Sequence, residues 1–251
     1  IPFCVVATIG TTSTTSVDDV EKISKICNEK NIWLHVDAAH AGITAVLPEM
    51  KHIFNGVKTA DSLVVNPHKW MFTPVDLSVL FIRKHEILKR SFTIVPEYLK
   101  SSEDESVINY MDYGIQLGRR FRSLKFWFIL RYFGVEGIIS RVREHLRLGK
   151  YLKELIEKNP DFEILAPVPF STICFRALPA KNYNEEEINS FNEKLLNSIN
   201  ETGNLFLSHT KLNGNFAIKI SISGLRTEEK HVLNAWQLIN QKFLEILKIK
   251  I

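Results

Sequence analysis

Two residues in this chain have the side chains that carbonyl chemistry needs. Asp37 closes the apolar run Ile32-Trp-Leu-His-Val, and Lys69 follows Ser62-Leu-Val-Val by a few residues. A lysine amine condenses with an aldehyde to give a Schiff base. A carboxylate fixed against a pyridine nitrogen keeps that nitrogen protonated and turns the ring into an electron sink. The small residues Ala38 and Ala39 beside Asp37 would let a flat ring lie close to the backbone, and Thr11, Thr12, Ser13 and Asn66 offer neutral donors for a phosphate or a ring hydroxyl.

These groups can act together only if the fold brings them together. Cys4 to Ile9 reads as a buried strand, followed by the polar turn Gly10-Thr-Thr-Ser-Thr-Thr-Ser. Ser16 is placed to cap a helix with Asp18 and Asp19 in its first turn and Val20, Ile23, Ser24 and Cys27 on one face. The strand ending at Asp37 comes next. A strand, helix, strand unit implies a parallel sheet whose functional loops lie at the carboxyl ends of the strands. Ser62 to Val65 and Leu77 to Ile82 continue the pattern, so Asp37 and Lys69 would emerge at one sheet edge, within reach of one ligand. Taken singly, Asp37 is as well read as a cap or turn residue and Lys69 as a solvated lysine. Taken together, they are the two groups that pyridoxal phosphate needs most.

Further along, Glu97 to Gly114 shows little periodicity and reads as an exposed loop. Helical spacing returns from Arg119 to Phe133 and from Val135 to Lys158. Beyond Asn159-Pro160 come strands near 162–165, 172–175 and 216–223, with helices near 185–200 and 227–247. We expect residues 1–150 to belong to a larger cofactor-binding domain and residues 151–251 to form a small C-terminal α/β domain.

Composition narrows the class. The 251 residues are 45% hydrophobic and 24% charged, as in an ordinary folded domain. The formal charge of +4 is spread along helical stretches such as Glu144 to Glu154, which read as solvated faces; only Arg119, Arg120, Arg122 and Lys125 cluster, and ion pairing is the favoured use. Nucleic-acid binding is the weaker reading. Three widely spaced cysteines suggest neither a disulfide framework nor a zinc site, and no apolar run approaches bilayer length. The expected setting is the cytosol, with no membrane partner.

The strings HVDAAHAG (35–42) and NPHKW (66–70) resemble the cofactor motifs of the group II pyridoxal-phosphate-dependent decarboxylases, in particular their aromatic-L-amino-acid decarboxylase branch. ATIGTTSTTSVD (7–18), PEYLK (96–100), LGRRFRSLKFWFILRYFGVEG (117–137), DFEILAPVPFSTICFR (161–176) and ISGLRTEEKHV (222–232) extend the resemblance in the family's order. It implies an α/β, fold-type I (aspartate-aminotransferase-like) architecture: part of the large domain followed by the small C-terminal domain. It also implies that Lys69 carries the cofactor, Asp37 pairs with its ring nitrogen, Ala39 packs on a ring face, Thr12 and His68 line the site, and Asn66 approaches the phosphate. Leu117 and Gly118 would reach the phosphate of a second subunit in a homodimer. Tyr98, on a loop, would help deliver the proton that replaces the lost carboxylate. The implied substrate is an L-amino acid, aromatic by its nearest likeness (tyrosine, DOPA or tryptophan type), and the product is the amine. The alternatives are a non-aromatic decarboxylase, an aldehyde synthase on the same cofactor, or an inactive truncated homologue.

Family members are much longer, and the part not matched is N-terminal. It supplies a ring-stacking His, much of the phosphate grip and most of the dimer contacts. Uncovered apolar faces cost about 25 cal/mol per Å², so the expectation is a fragment, a truncated reading frame or one piece of a two-chain enzyme. His35 and the aromatic run Phe126, Trp127, Phe128 and Tyr132 are read as packing, and His40 as a residue that shapes the pocket where relatives often have Tyr.

Overall fold

The computed structural model describes residues 1–93, 107–179 and 183–249. Its first sheet has the order β1-β2-β3-β4: Cys4–Thr8, Trp33–Asp37, Ser62–Val65 and Val79–Ile82. The first three strands run parallel, with Thr8 opposite Asp37 and Asp37 opposite Val64. β4 is antiparallel to β3. The segment between them holds only the single helical turn α2 (Pro67–Trp70), too short for the crossover that a parallel return requires.

Helix α1 (Val20–Lys30) links β1 and β2. Its cap is Asp19, whose carboxylate accepts from the Lys22 amide (3.0 Å), and not Ser16 as expected from sequence. The residues around Ser16 are already committed to β1: Val17 bridges Ile9, and the Asp18 amide donates to the Thr8 carbonyl (2.9 Å). Extended backbone there postpones the helix. Between β2 and β3 the chain makes short 3-10 turns over Ala41–Val46, Pro48–Phe54 and Val57–Thr59. After β4 comes α3 (His85–Phe92).

Helix α4 (Arg122–Glu157) contains one non-helical residue, Gly134, at φ 63° and ψ 176°. That conformation is essentially restricted to glycine, which is why the helical periodicity divides there. The second sheet, all antiparallel, has the order β5-β6-β8-β7: Phe162–Ile164, Thr172–Ala177, Asn215–Ser221 and Ser208–Leu212. Helices α5 (Glu185–Asn200) and α6 (Glu229–Ile249) accompany it. Asn184 and Glu187 close α5 with a reciprocal capping box.

Two hydrophobic clusters hold these sheets, and α4 belongs to both. Ile138, Ile139 and Val142 pack with Leu34, Val36, Ala38 and Trp70, while Leu148, Leu152 and Ile156 pack with Phe162, Phe175, Phe191 and Phe243. Among the described residues no helix is long and apolar enough to cross a membrane.

Where α4 passes from one cluster to the other, Gly149 meets Phe170 and Ser171. A methyl group on Gly149 would lie 2.9 Å from Ser171 Cα and 3.2 Å from the Phe170 carbonyl oxygen, both backbone atoms that cannot rotate away. Gly149→Ala should therefore destabilise the fold by about 1–3 kcal/mol despite alanine's better helix propensity. Urea unfolding of the two proteins measures it, and equal midpoints would contradict this packing.

Candidate active site

Three parallel strands ending together create one edge, and backbone hydrogen bonds stitch the loops beyond it. The Ile9 amide donates to the Asp37 carbonyl (2.8 Å), the Ala38 amide to Val64 (3.0 Å) and the Asn66 amide to Ala39 (3.1 Å). The Lys69 amide closes the α2 turn on the Asn66 carbonyl (2.9 Å). Asp37, Ala39, Asn66 and Lys69 thus belong to one connected strand-end structure.

Asp37 is half-buried. Its Oδ1 accepts from the Ala39 amide (2.9 Å), and Oδ2 has no hydrogen-bond partner among the described residues. The Lys69 side chain is exposed and forms no hydrogen bond or ion pair with a described residue. A pyridine nitrogen needs an uncommitted carboxylate oxygen, and a carbonyl carbon needs an uncommitted amine, so both groups fit pyridoxal phosphate. Ala39 is 8% exposed. The Asn66 carboxamide oxygen accepts from Ser78 Oγ (2.6 Å). His68 Nδ1 accepts from the Leu77 amide (2.9 Å), which fixes its ring beside the turn. The Thr12 side chain is exposed, and its carbonyl accepts from Lys219 Nζ (3.0 Å).

Leu117 and Gly118 stand apart from this cluster. Leu117 is 63% exposed, and no atom lies within 4 Å of where a Cβ on Gly118 would sit. Tyr98 and the whole of the segment 96–100 around it lie outside the described residues. Within the arginine cluster Arg122 and Arg120 pair with Asp76, as expected of them, while Lys125 donates to the Pro74 carbonyl. His35 is a packing residue whose Nδ1 lies 2.8 Å from Ser62 Oγ.

Trp70, His145 and Lys219 join this structure although no motif singles them out. Trp70, next to Lys69, is 1% exposed. His40 stacks on its ring at 5.1 Å between centroids with a 14° interplanar angle, Phe170 meets it edge-on, and its indole N–H donates to His145 Nδ1 (2.9 Å). His145 is 2% exposed, so the run Glu144 to Glu154 is only partly a solvated face. The signal was present in the spacing: Val142, His145, Leu148, Leu152 and Ile156 form one helical stripe. From the second sheet, Thr210 Oγ1 meets Ser13 Oγ (2.9 Å) and the Cys174 thiol donates to the Ser13 carbonyl (3.1 Å), so the loop bearing Thr12 is tied to that sheet at two points.

This arrangement, an open sheet with its candidate groups at the carboxyl ends of parallel strands, defines the class of an α/β fold with its ligand site at the strand ends. The model of the pyridoxal-dependent decarboxylase conserved domain matches residues 1–178, and the chain belongs to that family. Its cofactor is accordingly pyridoxal phosphate. Over 244 residues the chain is 42% identical to phenylacetaldehyde synthase of Arabidopsis thaliana, covering 96% of this chain and 50% of that protein. It is 39% identical to tryptophan decarboxylase 2 of Oryza sativa subsp. japonica, covering 98% and 50%. The crystal structure of Oryza sativa TDC with PLP and tryptamine superposes with a TM-score of 0.93 at 34% identity, covering 97% of this chain and 51% of that one. The chain thus spans about half the length of these relatives. The fold type I expectation is met by this likeness.

Burial, followed by the charges of Lys69 and Lys219, pushes the His40 imidazole down to about 4, and burial also lowers His145. Both are neutral when folded at pH 7. An unfolded histidine titrates near 6.5, so the unfolded chain binds the extra protons first, and stability falls as pH drops from about 6.5 toward 4. We expect His40 to account for roughly 2 kcal/mol of the loss between pH 7 and pH 5. His40→Phe keeps the stack and removes the proton site, so its urea midpoint should change less between those two pH values. An undiminished change would assign the titration to other groups.

Proposed function

We propose that this chain carries the lysine and carboxylate centre of a decarboxylase that converts an aromatic L-amino acid to its amine and carbon dioxide. The observation that carries this reading is the pairing of Asp37 and Lys69 at neighbouring parallel strand ends, each with its reactive atom uncommitted to the described protein. Pyridoxal phosphate, once bound, supplies an electron sink for the pair left behind by the departing carboxylate.

In this reading the Lys69 amine holds the cofactor covalently and Asp37 Oδ2 keeps a proton on its ring nitrogen. Ala39 lies on a ring face, Asn66 approaches the phosphate, and Thr12 and His68 line the pocket. Tyr98 delivers the proton to the substrate carbon, which favours amine over aldehyde. Leu117, exposed on this chain, and Gly118 act across a homodimer interface on the second subunit's phosphate. The substrate class rests on the relatives, whose names specify tryptophan and tyrosine, and on His68, where histidine-specific members of the family often have Ser. We assign the protein to the cytosol, with residues 1–150 in the cofactor-binding domain and 151–251 in the small domain.

A second reading, oxidation to the aldehyde, is favoured by one specific observation, the 42% identity to a phenylacetaldehyde synthase. Incubation with tyrosine, tryptophan, DOPA and glutamate separates the readings: amine and carbon dioxide support the first, whereas aldehyde and hydrogen peroxide without amine overturn it. Lys69→Ala should abolish the visible absorbance of lysine-bound cofactor, and a persisting band would refute Lys69 as its carrier. Asp37→Asn should retain cofactor but lose about a hundredfold or more in turnover, as when a preorganised electrostatic partner is removed from a reacting centre.

A further inference from the structure

The residue after Lys69 is anchored more firmly than Lys69 itself. Trp70 Nε1 donates to His145 Nδ1 (2.9 Å), so that nitrogen is an acceptor and carries no proton. The proton of the neutral ring therefore sits on Nε2, which lies 3.1 Å from the Gly224 carbonyl oxygen and donates to it. The ring is 2% exposed, and Phe72 packs against it edge-on at 5.8 Å. One imidazole thus ties the α2 turn, in the first sheet's loops, to the segment that follows β8 in the second. A buried ring satisfied at both nitrogens is held in a single orientation, and so is the indole it receives from.

We propose that His145 is a positioning residue for Lys69, acting through Trp70 to set the direction in which the lysine amine leaves the α2 turn. The inference rests on the reading that Lys69 carries the cofactor. His145 touches no reacting atom in this assignment. Its work is done by accepting from Trp70 and donating to Gly224 at once, a pattern that the glutamine carboxamide can reproduce with its oxygen and its NH2 group and that leucine cannot.

The test incubates the purified protein with pyridoxal phosphate, fixes pyridoxyl-lysine with borohydride and quantifies labelled peptides by mass spectrometry. Labelling at exposed lysines such as Lys22 and Lys150, with melting temperature, serves as the control. Wild type should label Lys69 preferentially. His145→Leu should lose about tenfold in Lys69 labelling, the scale of one buried hydrogen-bond link, with surface labelling unchanged, and His145→Gln should restore most of it. Equal Lys69 labelling in wild type and His145→Leu overturns the positioning role and leaves the Lys69 reading intact. A wild type that labels Lys69 no better than its surface lysines overturns the reading itself and the inference with it. Should His145→Leu melt far below wild type, His145→Gln decides alone: normal labelling supports the role, and a tenfold loss at a normal melting temperature refutes the donor and acceptor pattern as its basis.

Discussion

Parallel pairing of β1, β2 and β3 is the constraint on which the site depends. Strands that run in the same direction end on the same side, so the loops after Thr8, Asp37 and Val65 converge without any of them having to be long. The register does the finer work. Because Thr8, Asp37 and Val64 lie across from one another, the amides of Ile9, Ala38 and Asn66 each find a carbonyl on the adjoining strand or loop. The ladder continues past the ends of the strands and makes ordered structure of what would be flexible connections. A one-residue slip of β2 would turn Asp37 to the opposite face and point its buried neighbours, Val36 and Ala38, the wrong way.

The second sheet contributes order without contributing a reacting group. Lys219 and Cys174 reach carbonyls of the Thr12–Ser13 loop, Thr210 meets Ser13, and Gly224 receives His145. All four are polar contacts across the junction of two apolar cores, and the three that are part-buried satisfy groups that the approach of the other sheet would otherwise strip of water. Charge follows the same economy. Burial first, and then the positive charges of Lys69 and Lys219, keep the nearby histidine His40 neutral. Placing two cations and one half-buried carboxylate around a strand edge suits an anionic ligand with a basic ring nitrogen.

Most of this was legible in the sequence where local signals are strong. The strands up to Asp37 and Val65, the helices over 185–200 and 227–247, and the division of the long helix at Gly134 follow from periodicity and turn residues. The motifs around Asp37 and Lys69 named the family. The sequence was silent where tertiary pairing decides. Ser16 carries a capping side chain, but its backbone is drawn into β1's edge. Ser208–Leu212 is too polar to announce itself and is a strand because β8 offers it an edge. His145 hides among charged neighbours because only one side of α4 faces the core. Tyr98 was read from its motif alone.

Lys69 and Trp70 are consecutive, yet one is exposed and the other is 1% exposed. In a single helical turn neighbouring side chains diverge by about 100°, so an outward lysine requires an inward partner, and the inward one can be gripped by packing. A reactive amine cannot be gripped directly, because every hydrogen bond it makes lowers its availability as a nucleophile. The solution is to immobilise the adjacent residue: Trp70 is stacked by His40, edged by Phe170 and hydrogen-bonded by His145. Rigidity is then transmitted through one peptide unit, leaving the lysine nitrogen free of protein partners among the described residues while its starting point is fixed. In the proposed function the order in the sequence, cofactor lysine followed by anchor, is therefore part of the chemistry.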